Sequence, residues 1–172
     1  YLRYDNYQKA SEEYGEALRL AKNLKREEDT QEADQYKKLA EQIILADEAM
    51  TSGEYQKAQG LYLTAREMSV EAGNVGKSYI DSQLKQTKDY IDVFDLIELG
   101  EQKEAAGNME GAVKTYKEAR DKAASLYYAA GKEEALKKQA AAEEKLEKAE
   151  QQEKTAKKEK EESAAAEAEK QQ

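Results

Sequence analysis

Asn74-Val75-Gly76-Lys77-Ser78 is the stretch nearest to recognisable chemistry in this chain. Glycine, lysine and a hydroxyl in that order end a phosphate-binding loop, in which backbone N–H groups cradle phosphate oxygens and the lysine reaches the outer ones. That loop also needs a glycine where the chain has Glu71, and a strand in front of it, which the local sequence does not supply. A turn between two helices, closed by Gly73-Asn74 and reopened by Ser78, explains the same letters. Carboxylates one helical turn apart, such as Glu12 with Glu16 and Glu143 with Glu147, could in principle share a proton or an oxygen-ligated metal. With 37 acidic residues in the chain, such pairs arise by chance and read as solvated faces. The chain has no histidine and no cysteine, so the usual nucleophile–imidazole triads and zinc sites cannot be assembled. Of the 12 tyrosines, Tyr14, Tyr62 and Tyr116 read as packing residues rather than stacking platforms for a ligand. Tyr127 and Tyr128 are adjacent on one helix, so one of them must face away from a core and is a contact candidate. The expectation is a protein without catalysis, cofactor or metal.

The elements that carry these residues are helices. The sequence contains no proline, 38% of its residues are charged, and no run alternates cleanly in hydrophobicity. A formal net charge of −9 over 172 residues, without a basic run in the body of the chain, argues against a nucleic-acid partner. No segment approaches the roughly 20 consecutive apolar residues of a membrane span. An all-α cytoplasmic protein is expected, with no membrane insertion.

Taken in order, the signals predict a first helix within residues 1–26, opened by Asp5-Asn6 as an N-cap pair. A second starts near Asp29-Thr30, where Asp29 and Glu32 have capping-box spacing, and reaches about Thr51. Ser52-Gly53 then turns the chain into a third helix, about Glu54 to Ala72. A fourth starts near Gly76-Lys77-Ser78, with Ser78 and Asp81 at capping spacing, and stops at Ala106-Gly107. A fifth covers Met109 to Ala130 with Gly131 as its C-cap. Beyond it the chain is almost wholly Ala, Glu, Lys and Gln. Residues 132–150 are expected to cap the body through Leu136, Ala140 and Leu146, and residues 151–172 to form a charged helical or disordered tail held by i,i+4 Glu–Lys pairs.

One figure recurs within residues 1–131. Ala58, Tyr62 and Ala65 place a small, a large and a small residue on one helical stripe, and Ala10, Tyr14, Ala17 and Ala112, Tyr116, Ala119 repeat it. Turn residues precede each copy at fixed distance: Asp5, Gly53 and Gly107. A leucine followed by a small residue, Leu45-Ala46 and Leu99-Gly100, precedes the second and third. This pattern resembles the tetratricopeptide repeat. The resemblance implies a solenoid-like stack of antiparallel helical hairpins, and it places Tyr1 at the family's first-helix tyrosine, so that the chain opens inside a repeat. The copies are longer than the family's 34 residues: Tyr7 to Tyr55 is 48 and Tyr55 to Met109 is 54. Gln42 and Leu96 stand where the family has a tryptophan, and the closing proline is absent. Longer helices are the implied outcome.

In the family, first helices line a groove that binds peptides. Carried onto this register, the groove positions are Ile43, Asp47 and Met50 in one repeat and Phe94, Ile97, Glu101 and Glu104 in the next. Ile43 and Asp47 stand where chaperone-tail grooves use Lys and Asn to clamp a terminal carboxylate, so that activity is not implied. The expected function is a protein–protein interaction module whose partner offers apolar anchors with basic flanks. The competing location for the apolar members of this set is the core of elongated hairpins. Two further functional readings stand beside the first: a structural spacer or oligomerisation arm, and a regulatory extension of a larger signalling enzyme similar to those on bacterial protein phosphatases.

Overall fold

The computed structural model describes the backbone of residues 2–170 and the side chains of residues 6–162. Its elements are α1 (Leu2–Asn23), α2 (Glu27–Thr51), α3 (Tyr55–Glu71), α4 (Lys77–Ala105), α5 (Met109–Ser125) and α6 (Ala129–Lys170). The fold is all-α among the described residues. The chain divides into two compact units, residues 1–91 and 92–172, and the division falls within α4. Tyr1 lies outside the described residues.

Five turns share one mechanism for ending a helix. The second residue past the helix takes a left-handed conformation, and the next N–H reaches back to the third-last helical carbonyl. The five residues with positive φ are Lys25, Gly53, Gly73, Gly107 and Tyr127, between +54° and +79°. The reaching bonds are Arg26 N–H to Ala21, Glu54 to Ala49, Asn74 to Ser69, Asn108 to Lys103 and Tyr128 to Ala123, at 2.7–3.0 Å. Four of these turns hand the chain to the next helix within three residues. The Ala72–Gly76 turn is longer, adding a second and third left-handed residue at Asn74 and Gly76.

Several helix boundaries differ from the sequence reading. Asp5 and Asn6 lie inside α1, which begins before them at Leu2. α2 starts at Glu27 behind Arg26, with no side-chain cap, and Asp29 pairs with Arg26 at 2.7 Å instead. Ser78 lies inside α4, and Asp81 pairs with Arg66 of α3 at 2.7 Å. α5 ends at Ser125, and the turn falls at Leu126–Tyr128; Gly131 is an interior residue of α6. α6 is continuous across residue 150, the boundary drawn between cap and tail.

In the first unit α1 folds back on α2, with the Tyr14 and Tyr36 rings 5.2 Å apart and Ala21 and Ala33 buried. α2, α3 and the start of α4 form a core of Leu39, Ile43, Ala46, Ala49, Ala58, Tyr62, Ala65, Ala72 and Ile80. In the second unit Ala112, Tyr116, Ala119 and Ala123 of α5 are fully buried. α6 covers them with Ala135 and Ala142 rather than with the larger Leu136, which is half exposed; Ala140 is exposed and Leu146 half-buried. From Glu147 to Glu162 every residue of α6 is exposed, and i,i+4 ion pairs such as Glu153–Lys157 at 2.7 Å run along it.

Candidate functional site

The seven groove positions do not share one environment. Ile43 is 1% exposed and Ile97 5%, so both are core side chains. Their apolar character follows from packing, the competing location named for them above. Met50 is half-buried against the first core, with the Thr87 hydroxyl 3.5 Å from its sulfur. Phe94 is half-buried and meets the Tyr128 ring edge-on at 6.1 Å.

Asp47 is 8% exposed and accepts two hydrogen bonds on one oxygen, from the Tyr62 hydroxyl at 2.5 Å and the Tyr79 hydroxyl at 2.7 Å. Thus α2 supplies the acceptor, while α3 and α4 each supply a donor. Burial raises the Asp47 carboxyl above the ordinary aspartate range, against the pull of the two hydroxyls. Burial, followed by the carboxylate they donate to, raises both phenols as well. Tyr79 in turn meets the Tyr7 ring at 5.1 Å, and Gly76 runs close to Ile43 and Tyr7. Through this one buried carboxylate Tyr62 and Tyr79 tie α3 and α4 to α2.

In the second unit Glu104 is half-buried between α5 and α6. It accepts from the Tyr116 hydroxyl at 3.1 Å and pairs with Lys145. The Lys145 ammonium holds its carboxyl below the ordinary glutamate range. Glu101 is exposed and pairs with Lys138 at 2.5 Å. Glu101, Glu104, Lys138 and Lys145, with Ala105 and Met109, line a shallow cleft of about 410 Å³. Both acids already hold a lysine, so the cleft is charge-balanced.

On α2 and α4 a side that reaches solvent lies two residues along from the buried isoleucines. Leu45 is 50% and Leu99 41% exposed. Glu41 and Glu48 flank Leu45 one turn to either side, and Asp95 precedes Leu99 by one turn; all three acids are exposed. In the Leu45-Ala46 pair the alanine is buried and the leucine turns outward. Of the two adjacent tyrosines, Tyr128 is buried and Tyr127 is 95% exposed.

Asn74–Ser78 follows α3 and leads into α4, so it is a helix-to-helix turn. Among the described residues no group of three or more acids is arranged to hold a metal ion, and no helix is long and apolar enough to cross a membrane. No protein-family model, curated protein or solved structure matches the chain.

Proposed function

We propose that this chain is a non-catalytic protein–protein interaction module, a tetratricopeptide-like arrangement of helical hairpins that binds a peptide or protein through the solvent side of its first helices. The observation that carries this reading is the pair Leu45 and Leu99: equivalent positions in two copies, both exposed, both beside carboxylates. Single exposed leucines are ordinary. Recurrence at one repeat position with acidic flanks suits a partner bearing apolar anchors and Lys or Arg flanks.

Random-peptide display on the full chain tests it. Selected peptides are expected to combine apolar anchors with basic flanks; Leu45→Lys is expected to weaken those held by the first unit, and Leu99→Lys those held by the second, at least tenfold without moving the circular dichroism melt. Peptides that bind both variants as well as the parent chain would exclude this surface.

The spacer reading draws on a different observation, the exposure of α6 on every side from Glu147 to Glu162. That stretch, stabilised by its ion pairs, extends about 24 Å at ~1.5 Å per residue. Removing residues 151–172 should then alter reach or oligomeric state and leave peptide binding unchanged.

A further inference from the structure

The exposed side of α3 differs from the same side of the other two copies. Along it run Gly60, Leu63, Glu67 and Val70, one helical stripe with all four residues exposed, Leu63 at 49% and Val70 at 55%. In the register of the recurring figure, α1 carries Glu12, Gly15, Arg19 and Lys22 at these places, and α5 carries Lys114, Lys117, Asp121 and Ala124. The repeat thus accepts lysine or arginine at positions that meet only water, and the two large aliphatic residues of α3 answer no need of its own packing. Gly60 is the second departure. It stands inside a helix, where glycine is disfavoured against alanine, and a Cβ added to it would meet nothing within 4 Å. Gly100 and Gly131, by contrast, each make room for a tyrosine ring. The third departure is charge. Lys57, one turn before Gly60, and Glu71, beside Val70, are both exposed and of opposite sign. Lys57 reaches back to Glu54 at 2.6 Å, a solvated pair of the kind that is weak and readily exchanged.

We propose that this face of α3 is a self-association surface, on which a second copy of the chain lays its own α3 antiparallel about a two-fold axis. The occupant follows from the stripe itself, because a two-fold contact requires a surface that matches itself end for end. With Gly60 set against Val70 of the other copy, the hollow left by the missing side chain receives an aliphatic one, and symmetry gives that contact twice. In the same alignment Leu63 lies against the methylene stem of Glu67, and Lys57 comes within reach of Glu71 on one flank of the pair, again twice. A parallel arrangement would set lysine on lysine, glutamate on glutamate and hollow on hollow. The other two copies lack the match: the places of Lys57 and Glu71 hold Lys9 and Asn23 in α1, and Gly111 and Ser125 in α5. A contact along one helix falls below the roughly 1,200 Å² of stable interfaces and fits a reversible dimer. The proposal uses neither Leu45 nor Leu99 and does not depend on that surface.

Sedimentation equilibrium of the full chain, with no other protein present, tests it. A monomer–dimer equilibrium is expected, with a dissociation constant on the order of 10–100 μM. Val70→Lys should weaken it about tenfold or more. Gly60→Leu should weaken it by about as much although it adds apolar area, because its side chain fills the hollow; a patch acting through area alone would associate more tightly. Lys57→Glu and Glu71→Lys should each weaken the dimer about fivefold and, combined in one chain, restore it. These positions are exposed, so the circular dichroism melts of the dilute variants should not fall below that of the parent chain. A chain still monomeric at about 0.5 mM overturns the proposal and leaves the face to another segment or another protein. A dimer indifferent to Val70→Lys, strengthened by Gly60→Leu, or dissolved only by removing residues 151–172 overturns it as well.

Discussion

Tyr62 and Tyr116 occupy the same place in two copies of one pattern, yet they reach their carboxylates differently. Both rings are fully buried. Tyr62 donates to Asp47, and the residue at the matching position of the next copy is Glu101. Tyr116 ignores Glu101 and donates to Glu104, one turn further along α4, where the first copy has Met50. Glu101 instead turns outward to Lys138 of α6. At these two matching positions of the sequence pattern the buried ring is kept, while its polar partner differs by one helical turn. The magnitudes agree with that division: burying a large aromatic is worth several kcal/mol, whereas one hydrogen bond nets about 1 kcal/mol.

The sharpest way to break this comparison is to delete the rings. Tyr62→Ala and Tyr116→Ala should each cost about 3–5 kcal/mol of unfolding free energy in urea, and Tyr14→Ala less than half as much, because its ring is only half-buried. Equal losses at all three would remove the distinction between fully buried and half-buried rings. Glycines in helix interiors give the next effect, with opposite signs. Gly100→Ala drives a methyl into the Tyr116 ring and should cost about 1–3 kcal/mol, while Gly60, with open space around it, should gain about 0.5–1 kcal/mol as alanine. Thermal melts of the two variants, shifted in the same direction, would contradict the packing described. Replacing Tyr127 by glycine removes a side chain from a left-handed position and should stabilise by about 1 kcal/mol, since the ring it removes is almost wholly solvated.

The smallest effect, a change of slope, separates the two carboxylates by pH. Burial raises Asp47, so the native state holds its proton where the unfolded chain has lost it. The contribution of Asp47 is full below about pH 3.9 and is lost as pH rises through the raised native value. Lys145 lowers Glu104, so its contribution is present above about pH 4.3 and is lost as pH falls through the lowered native value. Carboxyl carbon NMR titrations should show the two groups displaced in opposite directions, and Lys145→Ala should carry Glu104 upward. A shared direction would refute the difference in environment.

Much of the fold was legible because its signals are local. Gly53, Gly73 and Gly107 marked three turns correctly, since glycine is the residue that pays least for positive φ. The turn at Tyr127 was invisible for the same reason reversed: a tyrosine holds the position that the other turns give to glycine. Gly131 then attracted the boundary, although its absent Cβ serves close approach to the Tyr128 ring and to Val93. The tail misled through size. Leu136 and Leu146 drew the eye, while the close contact of α6 with the body admits Ala135 and Ala142.

The candidate surface was harder to place than the fold. Ile43-Ile44-Leu45 and Leu96-Ile97 with Leu99 are apolar around most of the helix. Their hydrophobic pattern does not say which side faces the core, and a shift of two residues rotates the helix by about 200°. Ile43 and Ile97 face the core, and Leu45 and Leu99 face solvent. The exposed stripe of α3 carried a readable sign, since Leu63 and Val70 stand where the next copy has Lys117 and Ala124.

Amide chemical-shift mapping of the full chain with a display-selected peptide tests the central claim most directly. The account predicts perturbations centred on the amides around Leu45 and Leu99, with the cluster of Asp47, Tyr62 and Tyr79 intact. Perturbations confined to α6 beyond Glu147, or spread through the core around Ile43 and Ile97, would contradict it.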